Sequence, residues 1–424
     1  MSTTRDRNVT VAPLVRSSLG VVAMRRARLP AGPGGPGQPP PALASRPVRI
    51  AADATPLLGP RTGVGVFVAG ALGALARRDD TEVVAYGLTA RGRTSLREVL
   101  PEGVDGRWAV PAGLALRLWR HTRLVPVEWL VDLDGGVDVV HGTNYVLPPR
   151  RRAAGVVTVH DLTMVRYPEL CAPASLRYPD LVRRAVAGGA FVHTPSQFVA
   201  GEVCEAFGID PARVRAVAHG VGGPPAADHL ADRAAARRLS GPGSYLLALG
   251  TVEPRKDFPL LVRAFDRVAD HHPELRLVIC GPNGWGAAAL DAAVAEARHR
   301  ARIVRTGYVS DELRAGLLAG ATLLVSSARY EGFGFTPLEA MAAAVPVVAT
   351  AAGAVPEVCG SAALLVPVGD APALAEAVDE ALGSPAITAR LTAAGLARAA
   401  DFSWERCAAG LRRLYGDAVS DRAG

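Results

Sequence analysis

From residue 48 onward the chain alternates short apolar runs with longer stretches rich in alanine and arginine. The runs VRIAAD (48–53), EVVAYGL (82–88), DVVHG (138–142), GVVTVHD (155–161), AFVHTPS (190–196) and VRAVAHG (214–220) are apolar at successive positions, not at every second one. A strand wetted on one face alternates. A strand buried on both faces does not, and such strands belong to parallel sheets covered by helices. Several of the intervening Ala/Arg stretches have amphipathic helical spacing, so the pattern predicts an α/β domain with a doubly wound, Rossmann-like sheet.

The pattern lapses at VGGPPAADHL (221–230), which predicts a hinge. It resumes after GPG (241–243) with YLLALG (245–250), LRLVICG (275–281), RIVRTG (302–307), ATLLVSS (321–327), PVVAT (346–350) and ALLVPV (363–368). Residues 47–222 and 223–400 are thus predicted to form two doubly wound domains facing across a cleft. Ligands of such sheets sit beyond the carboxyl ends of the strands, so the cleft is the expected site. Residues 1–46 end in LPAGPGGPGQPPPALASRP and are expected to be disordered, because Pro and Gly leave too little to pack. Within 401–424, FSWERCAAGLRRLYGDAV reads as a terminal amphipathic helix that either domain can carry.

Hydrophobic residues make up 49% of the 424, enough for a core in each domain. The five cysteines are scattered, with no CxxC pair, and read as reduced core residues, not as a disulfide or metal framework. No apolar run approaches the ~18 residues that cross a bilayer. Pro13 and Arg16 interrupt the apolar stretch that a secretory signal requires. A cytoplasmic location is expected, with the inner face of the membrane as a variant of it. The net charge of +7 fits anionic small ligands, an acidic membrane or nucleic acid equally well. Of the 47 lysines and arginines, Lys256 alone is a lysine. A compact ammonium suits a narrow site that refuses the planar guanidinium fork, which singles out the stretch VEPRKD.

Arg255 and Lys256 follow the strand YLLALG and precede a helix expected to start near Phe258. Helix amides together with two cations favour an anion. After ATLLVSS comes ARYEGFGFTPLEAMAAAVPVVAT, in which Pro337 marks a helix start and Glu331 and Glu339 flank the loop. Gly332 and Gly334 allow close backbone approach, and the amides of Phe333, Gly334, Phe335 and Thr336 are expected to hold a diphosphate with Arg255 and Lys256. Carboxylates accept strongly from hydroxyls, so the two glutamates on either side of a diphosphate describe a nucleotide sugar.

GTVEPRKD, CGPNGWG, GYVSDEL and EGFGFTPLEAMAAAVPVVAT, in this order and spacing, resemble the retaining glycosyltransferases of family four, which have the GT-B fold. The resemblance extends over nearly all of residues 48–418. It implies that Lys256 and a neighbouring arginine bind the donor diphosphate, that Glu331 contacts the transferred sugar, and that Glu339 contacts the nucleotide ribose. Many members carry Arg directly after the strand-ending Gly where this chain has Thr251, so Arg255 is expected to replace that cation. GPRTGVGVF (59–67) resembles the family's glycine loop, with Gly63 and Gly65 approaching the donor phosphates. VTVHDL (157–162) resembles the strand whose His touches the sugar, making His160 the candidate, although His141, His193 and His219 also follow strands. His219 stands where the family usually has Asn-Gly-Val-Asp. The terminal helix of the family crosses back to the first domain, with an aromatic near Trp404 in the joint.

The resemblance implies hexose transfer with retention from a nucleoside diphosphate sugar. No evident nucleophile lies opposite Glu331, which favours front-face substitution. No metal and no cofactor is assigned, since cationic side chains take the metal's place. The phrase LGTVEPRKDFPLLVRAF with GPNGWG is most similar to mannosyltransferase-like members, so GDP-mannose is the first donor considered and UDP-sugars the next. The acceptor is a hydroxyl on a glycan, lipid-linked or small molecule. RLWRHTRLVPVEWL (117–130), basic and carrying Trp119 and Trp129, reads either as a peripheral membrane contact or as a buried helix with Arg at its margins. Two readings of other classes remain. A nucleotide-dependent oxidoreductase shares the sheet class, but GPRTGVGV does not supply G-x-G-x-x-G with its acidic partner. A basic nucleic-acid-binding protein would cluster its arginines with aromatics, and here they are spread along helices.

Overall fold

The computed structural model describes residues 46–59, 62–88, 93–110, 126–128, 136–222 and 230–423. Residues 1–45, most of 117–130 with Trp119 and Trp129, and most of the hinge stretch 221–230 lie outside the described residues, so the expectations placed there are not addressed.

Two parallel sheets form the frame. The first has strands β1 (Val48–Asp53), β2 (Thr81–Leu88), β3 (Asp105–Val110), β4 (Val139–Gly142), β5 (Ala154–Thr158), β6 (Phe191–Thr194) and β7 (Val214–Ala216) in the order β3-β2-β1-β4-β5-β6-β7. The second has β8 (Tyr245–Leu249), β9 (Arg276–Cys280), β10 (Ile303–Gly307), β11 (Leu323–Ser326), β12 (Val347–Thr350) and β13 (Leu364–Val366) in the order β10-β9-β8-β11-β12-β13. Strand β3 was not anticipated. Its sequence DGRWAV opens with polar residues and glycine, as a sheet edge tolerates, and so lacks the continuous apolar run that marks a central strand. In each sheet the winding direction reverses once, between β1 and β4 and between β8 and β11. Crevices that hold ligands open at such reversals. The sequence therefore delivers the segments following β8 and β11 to one place.

The first lobe's core packs Ile50 of β1 and Phe67 and Leu72 of helix Gly63–Ala76 against Leu411, Leu414 and Tyr415 of the terminal helix Trp404–Ala423. That helix thus crosses back from the second lobe. Its entry is held by two glycines: a Cβ at Gly70 would lie 2.2 Å from the Trp404 ring, and one at Gly220 would lie 2.5 Å from the Trp404 backbone nitrogen. A polar thread ties the helix to the sheet. The Nε2–H of His193 donates to Val217 O (2.9 Å), so its Nδ1 accepts from Thr158 Oγ1 (2.9 Å). Thr158 in turn accepts from His141 Nε2 (2.8 Å), whose Nδ1 accepts from the Tyr415 hydroxyl (2.8 Å). Burial holds both imidazoles well below the ordinary pKa, His193 at about 3, so both are neutral. Asp53, at the end of β1, accepts from Thr55 N (2.9 Å) and Thr55 Oγ1 (2.5 Å), yet burial pushes its pKa up to about 6.

The lobes are joined by polar contacts around the cleft. Leu162 N donates to the Tyr330 hydroxyl (3.0 Å), which donates to Glu202. Ser196 Oγ donates to Gly332 O (2.8 Å), and Glu357 accepts from Gln197 N and Phe198 N (2.8 and 2.9 Å). Gly332 must be glycine here, because a Cβ would lie 2.0 Å from His160 O of the other lobe. No helix among the described residues is long and apolar enough to cross a membrane.

Candidate active site

A cavity of about 360 Å³ lies between the lobes, and every candidate site residue except Gly65 lines it. Its floor is backbone. Gly250 (φ 140°) and Gly281 (φ 152°) end β8 and β9 so close together that a Cβ at 281 would lie 2.0 Å from Gly250 O. Thr251 follows on this floor, in the place where the resemblance would have put a cation.

The chain then turns through Pro254–Lys256 and presents both cations to Glu331, which arrives from the end of β11. Arg255 Nη1 donates to Glu331 Oε2 (3.0 Å) and to Tyr330 O (3.3 Å), its Nε donates to Glu253 (3.1 Å), and the Lys256 ammonium pairs with Glu331 Oε1. Burial alone would raise the Glu331 pKa, but the Lys256 and Arg255 charges pull it down to about 2. Burial likewise opposes the Arg255 charge, and Glu331, Glu253 and Asp161 outweigh it, raising its pKa further. The three groups form a clamped, charged unit. Each carboxylate oxygen retains a second lone pair for a hydroxyl donor.

The sequence led us to expect that the start of helix Phe258–Val268 would offer its amides to an anion. The structure corrects this: Asp257, in the left-handed conformation (φ 46°), caps that helix by accepting from Leu260 N (3.3 Å). Two other helix starts near the cavity lack a side-chain cap. Helix Phe335–Ala342 begins at Gly334 (φ 107°), which has no side chain to cap it, and helix Gly63–Ala76 begins at Thr62, which makes no side-chain cap. Both starts border the cavity, and the Phe335 ring lies 3.3 Å from where a Cβ on Gly63 would stand. Uncapped amides of two helices thus converge with Arg255 and Lys256. Gly65 is buried within the first turn and does not line the cavity, which departs from its expected approach to the phosphates.

The four strand-end histidines separate into two pairs. His141 and His193 belong to the core thread. His160 and His219 border the cavity. The Nε2–H of His160 donates to Thr143 O (2.8 Å), and burial lowers its pKa to about 4, so the ring is neutral with Nδ1 as its acceptor. His219 stacks on Phe335 of the other lobe (centroids 5.3 Å, 14°) and packs on Phe67 of its own lobe (4.2 Å), while its buried Nδ1 has no hydrogen-bond partner. Glu339 borders the cavity from helix Phe335–Ala342 and forms an ion pair with Arg314, which also lines it. Arg314 was not singled out from the sequence, and one arginine among so many gives no signal there.

Comparison with known proteins agrees with this geometry. The family model described as "Glycosyltransferase Family 4" matches residues 61–222, and the one described as "Glycosyl transferases group 1" matches residues 243–384. The chain is 31% identical over 278 residues to an O-antigen chain mannosyltransferase B of Escherichia coli, covering 63% of this chain and 71% of that one. It is 30% identical over 334 residues to a D-inositol 3-phosphate glycosyltransferase of Streptomyces scabiei, covering 73% and 74%. Among solved structures it superposes on sucrose-phosphate synthase from Thermosynechococcus elongatus with a TM-score of 0.68 at 19% identity, covering 87% of this chain and 98% of that one. It also superposes on Anabaena HepE in complex with UDP-glucose with a TM-score of 0.65 at 18% identity, covering 86% and 98%. The family models account for both lobes, the likeness to solved structures gives the architecture, and the chain is accordingly a glycosyltransferase of family four with the GT-B fold.

Proposed function

We propose that this glycosyltransferase moves a hexose, mannose in the first instance, from a nucleoside diphosphate sugar to a hydroxyl acceptor with retention of configuration. The observation that carries the reading is the convergence of Arg255, Lys256 and two uncapped helix starts on one interlobe cavity that also holds Glu331 and Glu339. The arrangement suits a leaving diphosphate. Charge grows on the departing oxygen as the glycosidic bond lengthens, and donors already aimed at it lower the barrier without reorganising. Because Glu331 fixes both cations before substrate arrives, they are preorganised. The Glu331 oxygens can accept sugar hydroxyls, as can the neutral His160 through Nδ1. Acceptor attack on the same face as the leaving group gives retention, and a donor phosphate oxygen takes the acceptor proton.

Likeness to the E. coli mannosyltransferase supports mannose and GDP-mannose, while the UDP-glucose complex of HepE makes UDP-sugars the second series to test. A thermal-shift panel of GDP, UDP, ADP and their sugars identifies the donor, because only a bound nucleotide raises Tm by mass action. The anomeric configuration of the product, read by NMR, tests retention, and an inverted product overturns the front-face step. Metal independence is supported by the two cations facing the cavity. The sequence also holds one Asp-x-Asp, Asp132-Leu133-Asp134, outside the described residues, a pattern that could hold a metal instead. On the metal-independent reading turnover should be unchanged in EDTA, and a loss restored by Mg²⁺ or Mn²⁺ would refute it.

A further inference from the structure

We propose that Arg314 is a positioning residue that fixes the Glu339 carboxylate for the donor ribose and thereby sets the enzyme's discrimination between ribonucleotides and 2′-deoxyribonucleotides. The inference rests on the reading of Glu339 as the ribose contact. Glu339 stands in the first turns of helix Phe335–Ala342, on a side chain with three rotatable bonds. A carboxylate that must meet the ribose 2′ hydroxyl at fixed geometry needs one of its oxygens held. Arg314 Nη2 donates to Glu339 Oε2, which leaves Oε1 for a second donor.

The bond is made across the sheet, not within one helix. Arg314 belongs to helix Asp311–Gly320, which follows β10, whereas Glu339 follows β11. Strands β9 and β8 lie between these two in the sheet order. The pair therefore bridges the ends of β9 and β8, beside Cys280 and Gly281, which border the same cavity. Glu339 is the strongest charge acting on Arg314, whose guanidinium is otherwise disfavoured by burial. Helix Asp311–Gly320 is itself anchored, since Ser310 caps it by accepting from Leu313 N (3.3 Å). Removing the guanidinium leaves Glu339 able to rotate away from the ribose while the diphosphate cations stay on Glu331.

The test uses the full chain and isothermal titration with GDP and 2′-deoxy-GDP, with UDP and 2′-deoxy-UDP in parallel. The wild type should prefer the ribonucleotide by about tenfold or more, the size of a hydrogen bond to a charged group. Arg314→Gln should weaken the ribonucleotide by about tenfold, leave the deoxynucleotide nearly unchanged and so collapse the preference. Arg314→Lys should keep part of it. In turnover, donor KM should rise with kcat changed less than about threefold. The double variant Arg314→Gln/Glu339→Gln should discriminate no less than either single variant, since both remove one function. If Arg314→Gln retains the preference while Glu339→Gln abolishes it, Arg314 is merely structural and the proposal is overturned. If Glu339→Gln also retains the preference while nucleotide still binds, the ribose reading fails and the proposal with it, and the diphosphate site stands. If no nucleotide binds the wild type, the donor reading itself is refuted.

Discussion

Replacing Lys256 with alanine separates chemistry from folding more cleanly than any other change at this site. The ammonium contacts Glu331 Oε1, but Glu331 Oε2 keeps its bond to Arg255 at 3.0 Å, so the buried carboxylate does not lose its counter-charge. Arg255 also retains Glu253 and Tyr330 O. The stability cost should therefore stay well below the ~3–5 kcal/mol of a buried pair broken outright. The catalytic cost should be larger. Removing one preorganised donor from a developing oxyanion lowers kcat by about 10²–10³, or roughly 2.7–4 kcal/mol in the barrier. Arg255→Ala should behave differently, because it removes the partner that Glu253 and Glu331 share and so costs stability as well as rate. The assay is initial-rate kinetics on the donor identified by thermal shift, paired with urea denaturation of each variant. A Lys256→Ala enzyme that keeps its kcat on that donor, with unfolding unchanged, refutes the assignment of the leaving-group charge to this residue.

Other outcomes follow from the same geometry. Asp53 has a folded pKa near 6, above the 3.8 of an ordinary aspartate, so its favourable contribution is present below pH 3.8 and is lost as pH rises through about 6. Asp53→Asn should match the wild type near pH 4 and be more stable by about 3 kcal/mol at pH 8 in urea titrations; identical curves at both pH values contradict it. Glu331 has the opposite sign. Its pKa lies near 2, against 4.5 for an ordinary glutamate, so its contribution is held above pH 4.5 and lost as pH falls towards 2, and Glu331→Gln should flatten that part of the stability curve. Gly332→Ala would put a methyl against His160 O, so the lobes must part. It should cost about 1–3 kcal/mol and enlarge the radius of gyration by small-angle scattering; unchanged scattering with full activity contradicts the contact.

Much of this was legible in the sequence, and the parts that were not have physical reasons. Runs such as YLLAL and LVIC show no alternation because both their faces are covered, and that alone exposes the central strands. The edge strand DGRWAV offers no such run. The segments carrying Lys256 and Glu331 could be paired because each follows a strand, and the reversal of winding between β8 and β11 brings the two together. Side-chain competition is what sequence hides: nothing in RKDFP says that Asp257 will cap its own helix while the helix starts at Gly334 and Thr62 stay without a side-chain cap. The histidines show the same limit. All four end strands, but whether a ring meets Thr158 in the core or Thr143 at the cavity wall depends on distances set by the sheet.

The terminal helix has a consequence for how the molecule is made. Tyr415, Leu411 and Leu414 complete a core whose other walls are Ile50, Phe67 and Leu72. The first lobe must therefore wait, with a hydrophobic seam open, until residues 404–423 have been synthesised. The later portion can close its own interior beforehand, so the order of maturation should run opposite to the order of translation, and a ribosome stalled before residue 404 should display an unfinished leading half that a chaperone or protease can seize.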